Sequence, residues 1–112
     1  LTIYNSGNMK RDMTHIEDIN DGITACIDKS NFSSKHEIFN LGNSHPIGTM
    51  ELLELVELHY GKKANITFEN SSNEVKLTFA DITKSFNALK FNPKIKINQG
   101  MREFLNWYDE TF

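Results

Sequence analysis

Arg11 is the side chain of this sequence best suited to bind an anion. A guanidinium stays charged at any working pH, and its fixed fork of donors matches phosphate oxygens two at a time. It stands just ahead of a helix-forming stretch, and a helix N-terminus also favours anions. The plainer alternative is a surface arginine paired with Asp12 or Glu17. Asp12, Glu17, Asp18 and Asp21 form an acidic cluster. Such a cluster suggests a divalent cation or an acid–base pair, yet carboxylates at the start of a helix are already explained by its dipole. His15, His36, His45 and His59 have neither the four-residue spacing nor the neighbouring Cys of a metal site. No Ser/His/Asp grouping announces a nucleophile. Cys26 falls on an apolar helix face and reads as a buried, inert thiol. Gly42 and Gly48 do not make the Gly-x-Gly-x-x-Gly phosphate loop.

These residues need elements to position them. Leu1–Tyr4 reads as a short edge strand closed by Gly7. Thr14 and Glu17 have capping-box spacing, and Ile16, Ile19, Ile23, Cys26 and Ile27 recur at helical spacing, so a helix is predicted from His15 to Asp28. Ser30–Ser34 reads as a loop and Glu37–Leu41 as a strand stopped by Gly42-Asn43. Thr49 is the expected N-cap of a helix with Leu52, Leu53, Val56 and Tyr60 on one face, ended by Gly61 as a left-handed C-cap. Ile66 and Phe68 alternate as in a short strand. Asn70–Asn73 reads as a loop, and Val75–Ala80 as extended or buried. Asp81 is expected to cap a short helix with Ile82, Phe86 and Leu89 facing inward, ended by Asn92-Pro93. Asn98 is the expected cap of a last helix whose buried stripe is Met101, Phe104, Leu105 and Tyr108, with Trp107 beside it.

The 112 residues suffice for one small domain. The formal net charge is −3, and the nearest approach to a basic stripe is Lys62-Lys63, which argues against nucleic acid and anionic membrane as partners. The single cysteine excludes an internal disulfide and a Cys-based zinc site, and suits a reducing, cytoplasmic setting. No apolar run approaches the ~20 residues of a membrane span. Residues 1–15 lack the apolar core of a signal peptide. The chain opens on Leu1-Thr2-Ile3-Tyr4 in mid-pattern, as a fragment would. Its strands are few and short and want a neighbouring sheet.

The run Arg11-Asp12-Met13-Thr14-His15-Ile16-Glu17-Asp18-Ile19-Asn20-Asp21-Gly22-Ile23 resembles the RDFTYVDDIVDGI segment of extended short-chain dehydrogenase/reductases that epimerise or dehydrate nucleotide-sugars. Three further stretches follow in that family's order. Phe39-Asn40-Leu41-Gly42-Asn43 is similar to FNLGN. Residues Asn73 to Asp81 are similar to GDVxxTxAD at Val75, Thr78, Ala80 and Asp81, but Asn73-Glu74 replaces Gly-Asp, and Ser71 and Ser72 stand where Arg or Gln is often found. Phe91-Asn92-Pro93 and Phe104-Leu105-Asn106-Trp107-Tyr108 are similar to the closing YNPxT and FVxWY. Residues Phe39–Asn43 and Glu57–Ala64 most resemble UDP-glucuronate 4-epimerases of the capsule-sugar type. UDP-glucose 4-epimerases and dTDP-glucose 4,6-dehydratases are the alternatives.

The resemblance implies an α/β fold, α+β-like as an isolated piece. Residues 1–112 would be the small C-terminal, substrate-binding lobe of an extended Rossmann-type epimerase, with the NAD-binding Rossmann domain outside this sequence. It implies that Arg11 contacts the nucleotide diphosphate, that Asn40 sits at the nucleotide pocket, and that Glu74 belongs to the loop over ribose and uracil. NAD is the cofactor of the full-length enzymes and is not expected to bind this chain alone. The family's Tyr-x-x-x-Lys pair has no counterpart, since Tyr4, Tyr60 and Tyr108 are not followed by Lys four residues on, so no catalytic residue is assigned. The implied partners are a UDP-sugar, a separately supplied Rossmann half, and a second copy held through bare apolar surface. A binding or docking module and a ligand-free remnant are the competing readings.

Overall fold

The computed structural model describes residues 1–28 and 36–112. Its elements run β1 (Thr2–Tyr4), a 3-10 turn (Asn5–Gly7), β2 (Lys10–Arg11), α1 (Ile16–Asp28), β3 (Ile47–Gly48), α2 (Thr49–Tyr60), β4 (Thr67–Glu69), α3 (Thr83–Leu89) and α4 (Ile97–Thr111). This is the mixed α/β fold, rich in helix, that the sequence suggests. The loop expected over Ser30–Ser34 lies outside the described residues.

β1 and β4 pair in parallel, with Ile3 opposite Phe68. β2 pairs antiparallel with β3, Lys10 opposite Gly48 and Arg11 opposite Ile47. On its other side Lys10 donates its N–H to the Lys76 carbonyl at 3.0 Å and accepts from the Thr78 N–H at 3.1 Å. The short β2 is therefore flanked on both edges, and it is this junction that carries Arg11. A tight turn leads into it. Gly7 has φ +72°, and a Cβ there would lie 2.7 Å from the Met50 side chain.

The buried apolar residues are Ile3, Met9, Ile47, Leu89, Phe91 and Leu105. Asp18 is buried among them at 3% exposure. Its carboxylate accepts the backbone N–H groups of Lys94 at 2.8 Å and Ile95 at 3.1 Å, which ties α1 to the segment entering α4. Gly22 lets α1 come close to its neighbours, since a Cβ there would lie 2.7 Å from Leu41 and 3.0 Å from Phe91.

Several local expectations give way to tertiary partners. The Thr14–Glu17 capping box does not form: Thr14 Oγ1 accepts from the Asn43 N–H, and the Glu17 N–H donates to His15 Nδ1. Glu37–Leu41 is not a strand. Side chains of α3 take its polar groups instead, Lys84 bonding Glu37 and the Ile38 carbonyl and Ser85 bonding the Asn40 carbonyl. Thr49 opens α2 rather than capping it. Gly48 is the cap, its N–H donates to Glu51, and the Thr49 hydroxyl bonds the Met9 carbonyl. Lys96, not Asn98, caps α4. Gly61 does close α2 in the left-handed conformation, with φ +60°.

The expected apolar faces exist, but the chain leaves much of them uncovered. Ile16 (64%), Ile27 (70%) and Trp107 (53%) are largely exposed, and so are Ile23, Tyr60, Phe86, Phe104 and Tyr108. Cys26 is half-buried rather than buried. The Cα radius of gyration is 17.1 Å, against about 13 Å for a compact domain of this length. The elements spread into a layer instead of closing around one core.

At the far end of that layer, α2 is fastened to α4. His59 Nε2 and Asp109 Oδ2 lie 2.9 Å apart, and Tyr60 Oη donates to Asp109 Oδ1 at 2.8 Å. The bonds from His59 and Tyr60 hold the Asp109 carboxyl below its ordinary range, and the bond to Asp109 pushes the Tyr60 hydroxyl above its own. A carboxyl depressed in the folded state stabilises the fold above its unfolded-state pKa, and that contribution is lost as pH falls through the folded value. Asp109→Asn should therefore be less stable than the parent at neutral pH, with the gap closing in acid. Urea midpoints for both proteins from pH 7 to below pH 4 check this. A gap that persists unchanged in acid contradicts it.

Candidate functional site

Successive side chains of an extended strand point to opposite sides, so β2 sends Arg11 one way and the next residue, Asp12, the other. On the Arg11 side, Nη1 donates to the Val75 carbonyl at 2.6 Å and to the Lys10 carbonyl at 3.0 Å. Nη2 donates to Glu74 Oε2 at 3.0 Å, in an ion pair, and contacts Met9 Sδ at 3.9 Å. Both terminal nitrogens are thus engaged by the chain itself.

On the other side the Asp12 carboxylate organises two loops. Oδ2 accepts the N–H groups of Ala80 at 2.9 Å and Ser44 at 3.0 Å, and Oδ1 accepts that of His45 at 3.3 Å. The Asp12 N–H donates to Thr78 Oγ1 at 3.1 Å. Thr14 adds its bond from the Asn43 N–H at 3.0 Å. The loops at 42–45 and 78–80 are thereby drawn together, so close that a Cβ on Gly42 would collide with Ala80 Cβ. Between them opens a cleft of about 460 Å³, lined by Asp12, Thr14, Asn40, Gly42, Thr78 and Phe79 among others.

Asn40 is fixed at this cleft. Its Nδ2 donates to the Asp81 carbonyl at 3.2 Å, and its own carbonyl takes a short bond from Ser85 Oγ, a hydroxyl with no exposure. Asp81 in turn accepts the Thr83 N–H at 2.9 Å, and bonds from the Thr83 side chain and backbone hold its carboxyl below the ordinary range. Of the residues singled out from sequence, Arg11 and Glu74 are brought into contact. Asn40 stands apart from them, at the cleft beyond Asp12. In the sequence Asp12 looks like one more helix-start carboxylate. Its role was invisible because its partners lie 32 to 68 residues away.

A second, larger groove of about 710 Å³ lies between the start of α1, α2 and α4, lined by Met13, Leu52, Ile97, Met101, Phe104 and Trp107 among others. His15 Nε2 and Glu103 Oε2, 3.3 Å apart, also line it. It is apolar and remote in character from the Arg11–Asp12 junction. Among the described residues no group of three or more His, Cys, Asp or Glu is placed to hold a metal ion, and no helix is long and apolar enough to cross a membrane. At the junction from β3 to α2 the Gly48 N–H donates to the Glu51 carboxylate.

No protein-family model matches the chain. It is 43% identical over 112 residues to an uncharacterised protein of Methanocaldococcus jannaschii, covering 99% of this chain and 33% of that protein. It is 35% identical over 113 residues to a UDP-glucuronate 4-epimerase of Thermodesulfobacterium geofontis, covering 99% of this chain and 34% of the enzyme. In three dimensions it is similar to the crystal structure of the UDP-glucuronic acid 4-epimerase of Bacillus cereus in complex with UDP-glucuronic acid and NAD. That match has a TM-score of 0.89 and 26% identity, over 100% of this chain and 36% of the other. The chain thus spans about a third of the length of the curated relatives it matches. It matches the C-terminal part of NAD-dependent nucleotide-sugar epimerases, in sequence and in fold, as the motifs indicated.

The site's geometry depends on one carboxylate. Removing it leaves three backbone N–H groups without their partner, so Asp12→Ala should lose about 2 kcal/mol of stability. Hydrogen exchange should show faster exchange at Ser44, His45 and Ala80, and urea unfolding a lower midpoint. Unchanged protection at those three amides would contradict this assignment.

Proposed function

We propose that this chain, matching the C-terminal part of NAD-dependent sugar-nucleotide epimerases, is the UDP-sugar-binding lobe of an enzyme of the UDP-glucuronate 4-epimerase type. The observation that carries the reading is the match of the whole of this chain to about a third of UDP-glucuronate 4-epimerases, one of them crystallised with UDP-glucuronic acid and NAD. The site residues we assign are Arg11, Asn40 and Glu74. Arg11 takes the diphosphate, for which its charge and donor fork are suited. Asn40 offers an amide, both donor and acceptor, to the base or ribose at the cleft. Glu74 belongs to the same site through its ion pair with Arg11.

On this reading the chain binds and orients, and does not itself exchange protons or hydride with the sugar. Fixing the nucleotide away from the reacting carbon lets binding energy position that carbon. NAD, held by another part of the protein, supplies the hydride acceptor. The exposed apolar faces of α1 and α4 are assigned to contact with that part, since an apolar surface of this extent in one chain calls for a partner. The engagement of Arg11 by Glu74 and Val75 favours one second reading, a folded lobe that binds no ligand.

An amide NMR titration with UDP-glucuronate separates the two. Peaks near Arg11 and Asn40 should shift in the parent chain and stay in place in a folded Arg11→Ala variant. A dispersed spectrum indifferent to the ligand would refute nucleotide binding. The chain with added NAD should epimerise no UDP-glucuronate, and turnover by the purified chain would contradict its assignment as a binding lobe.

A further inference from the structure

We propose that Glu74 is an internal competitor for the anion site. Its carboxylate holds Arg11 closed until a nucleoside diphosphate displaces it. The inference rests on the nucleotide-binding reading above and concerns how that site opens.

Residues Glu74 and Val75 clasp the guanidinium from one side, the first with its carboxylate and the second with its carbonyl. They lie on a short strap anchored at both ends. At one end Ser71 and Asn5 exchange two hydrogen bonds of 2.9 Å. At the other, Lys76 and Thr78 bond to Lys10. Between the anchors Ser72, Asn73, Glu74 and Val75 are exposed. Their side-chain and backbone bonds are local, apart from the clasp on Arg11.

A carboxylate and a phosphate are acceptors of the same kind for a guanidinium edge, so an incoming diphosphate competes with Glu74 for the Nη2 hydrogen that Glu74 now takes. The Glu74 charge also repels the ligand's own. The clasp is breakable, because the Arg11 and Glu74 side chains are 29% and 36% exposed and solvent-screened pairs are weak. Binding therefore swings the strap away from Arg11. Neutralising residue 74 should tighten binding of a phosphate-bearing ligand, the reverse of what losing a direct ligand contact would do.

The test measures dissociation constants of UDP, inorganic pyrophosphate and uridine for the 112-residue chain and its Glu74→Gln variant, by amide chemical shifts. UDP and pyrophosphate should bind the variant about fivefold more tightly, the size of a weak ion pair removed, and uridine should bind both alike. In the parent chain, saturating UDP should shift the amides of Asn73, Glu74 and Val75. If the parent binds UDP but the variant binds it equally or more weakly, the latch is refuted and the nucleotide reading stands. Strap amides that stay in place at saturation refute it too, with no variant required. If UDP binds neither protein, the nucleotide reading fails and the latch with it.

Discussion

The Asp12 carboxylate is the tie on which the site depends. One side chain accepts N–H groups from Ser44, His45 and Ala80, using the several acceptor positions an ionised carboxyl offers. These amides sit on two loops with little regular structure of their own, which have no ladder to satisfy them. Where β2 ends, Asp12 takes over the work of a sheet edge. It fixes the loops against the strand, sets the width of the cleft at Asn40, and forces the close approach of Gly42 to Ala80. Its neighbour Arg11 is fixed by the same strand to the other side.

Asp18 repeats the device six residues on. It is buried and neutralises two backbone amides ahead of α4, as Asp12 does for the loops. What reads in sequence as an acidic cluster suited to metal or proton chemistry is divided by the fold. Asp12 and Asp18 are absorbed into backbone hydrogen bonding, and Asp21 pairs with Lys94 at the surface. The backbone N–H groups that Asp12 and Asp18 accept give these two carboxylates a structural role. The same logic separates Arg11 from these residues. Its partners include one ionised side chain and one carbonyl on an exposed strap, which can be exchanged for others.

The sequence made the helices legible because their signals are local. Helical spacing located the starts of α1, α2 and α4 within two residues, and Gly61 marked the end of α2. The strand expected at Glu37–Leu41 failed because side chains of α3, more than forty residues away, bond its polar groups. The Thr14–Glu17 box failed for the same reason, Thr14 serving Asn43 instead. Periodicity identified the apolar faces of α1 and α4 correctly, but it says only that a face is apolar, not what covers it. At the junction, Arg11 was singled out in sequence by its guanidinium and by the run that it opens. Its pairing with Glu74, 63 residues distant, was not, because ion pairing across loops leaves no periodic trace.

The division of labour in this fold follows from its thinness. Among the described residues six apolar side chains are buried, and a single layer of elements cannot enclose a larger core. Rigidity at the cleft therefore cannot come from packing alone. It comes from polar ties that are local, directional and independent of the apolar faces: Asp12 to the loops, Ser85 to Asn40, Asp18 to the approach to α4. On the reading proposed here, this separation lets one lobe do two things. The apolar faces of α1 and α4 are left for another part of the protein, and covering them adds stability. The cleft keeps its shape through hydrogen bonds made within the lobe. A site held in this way can be set before the apolar faces are covered, while the ion pair between Arg11 and Glu74, exposed to solvent, stays exchangeable.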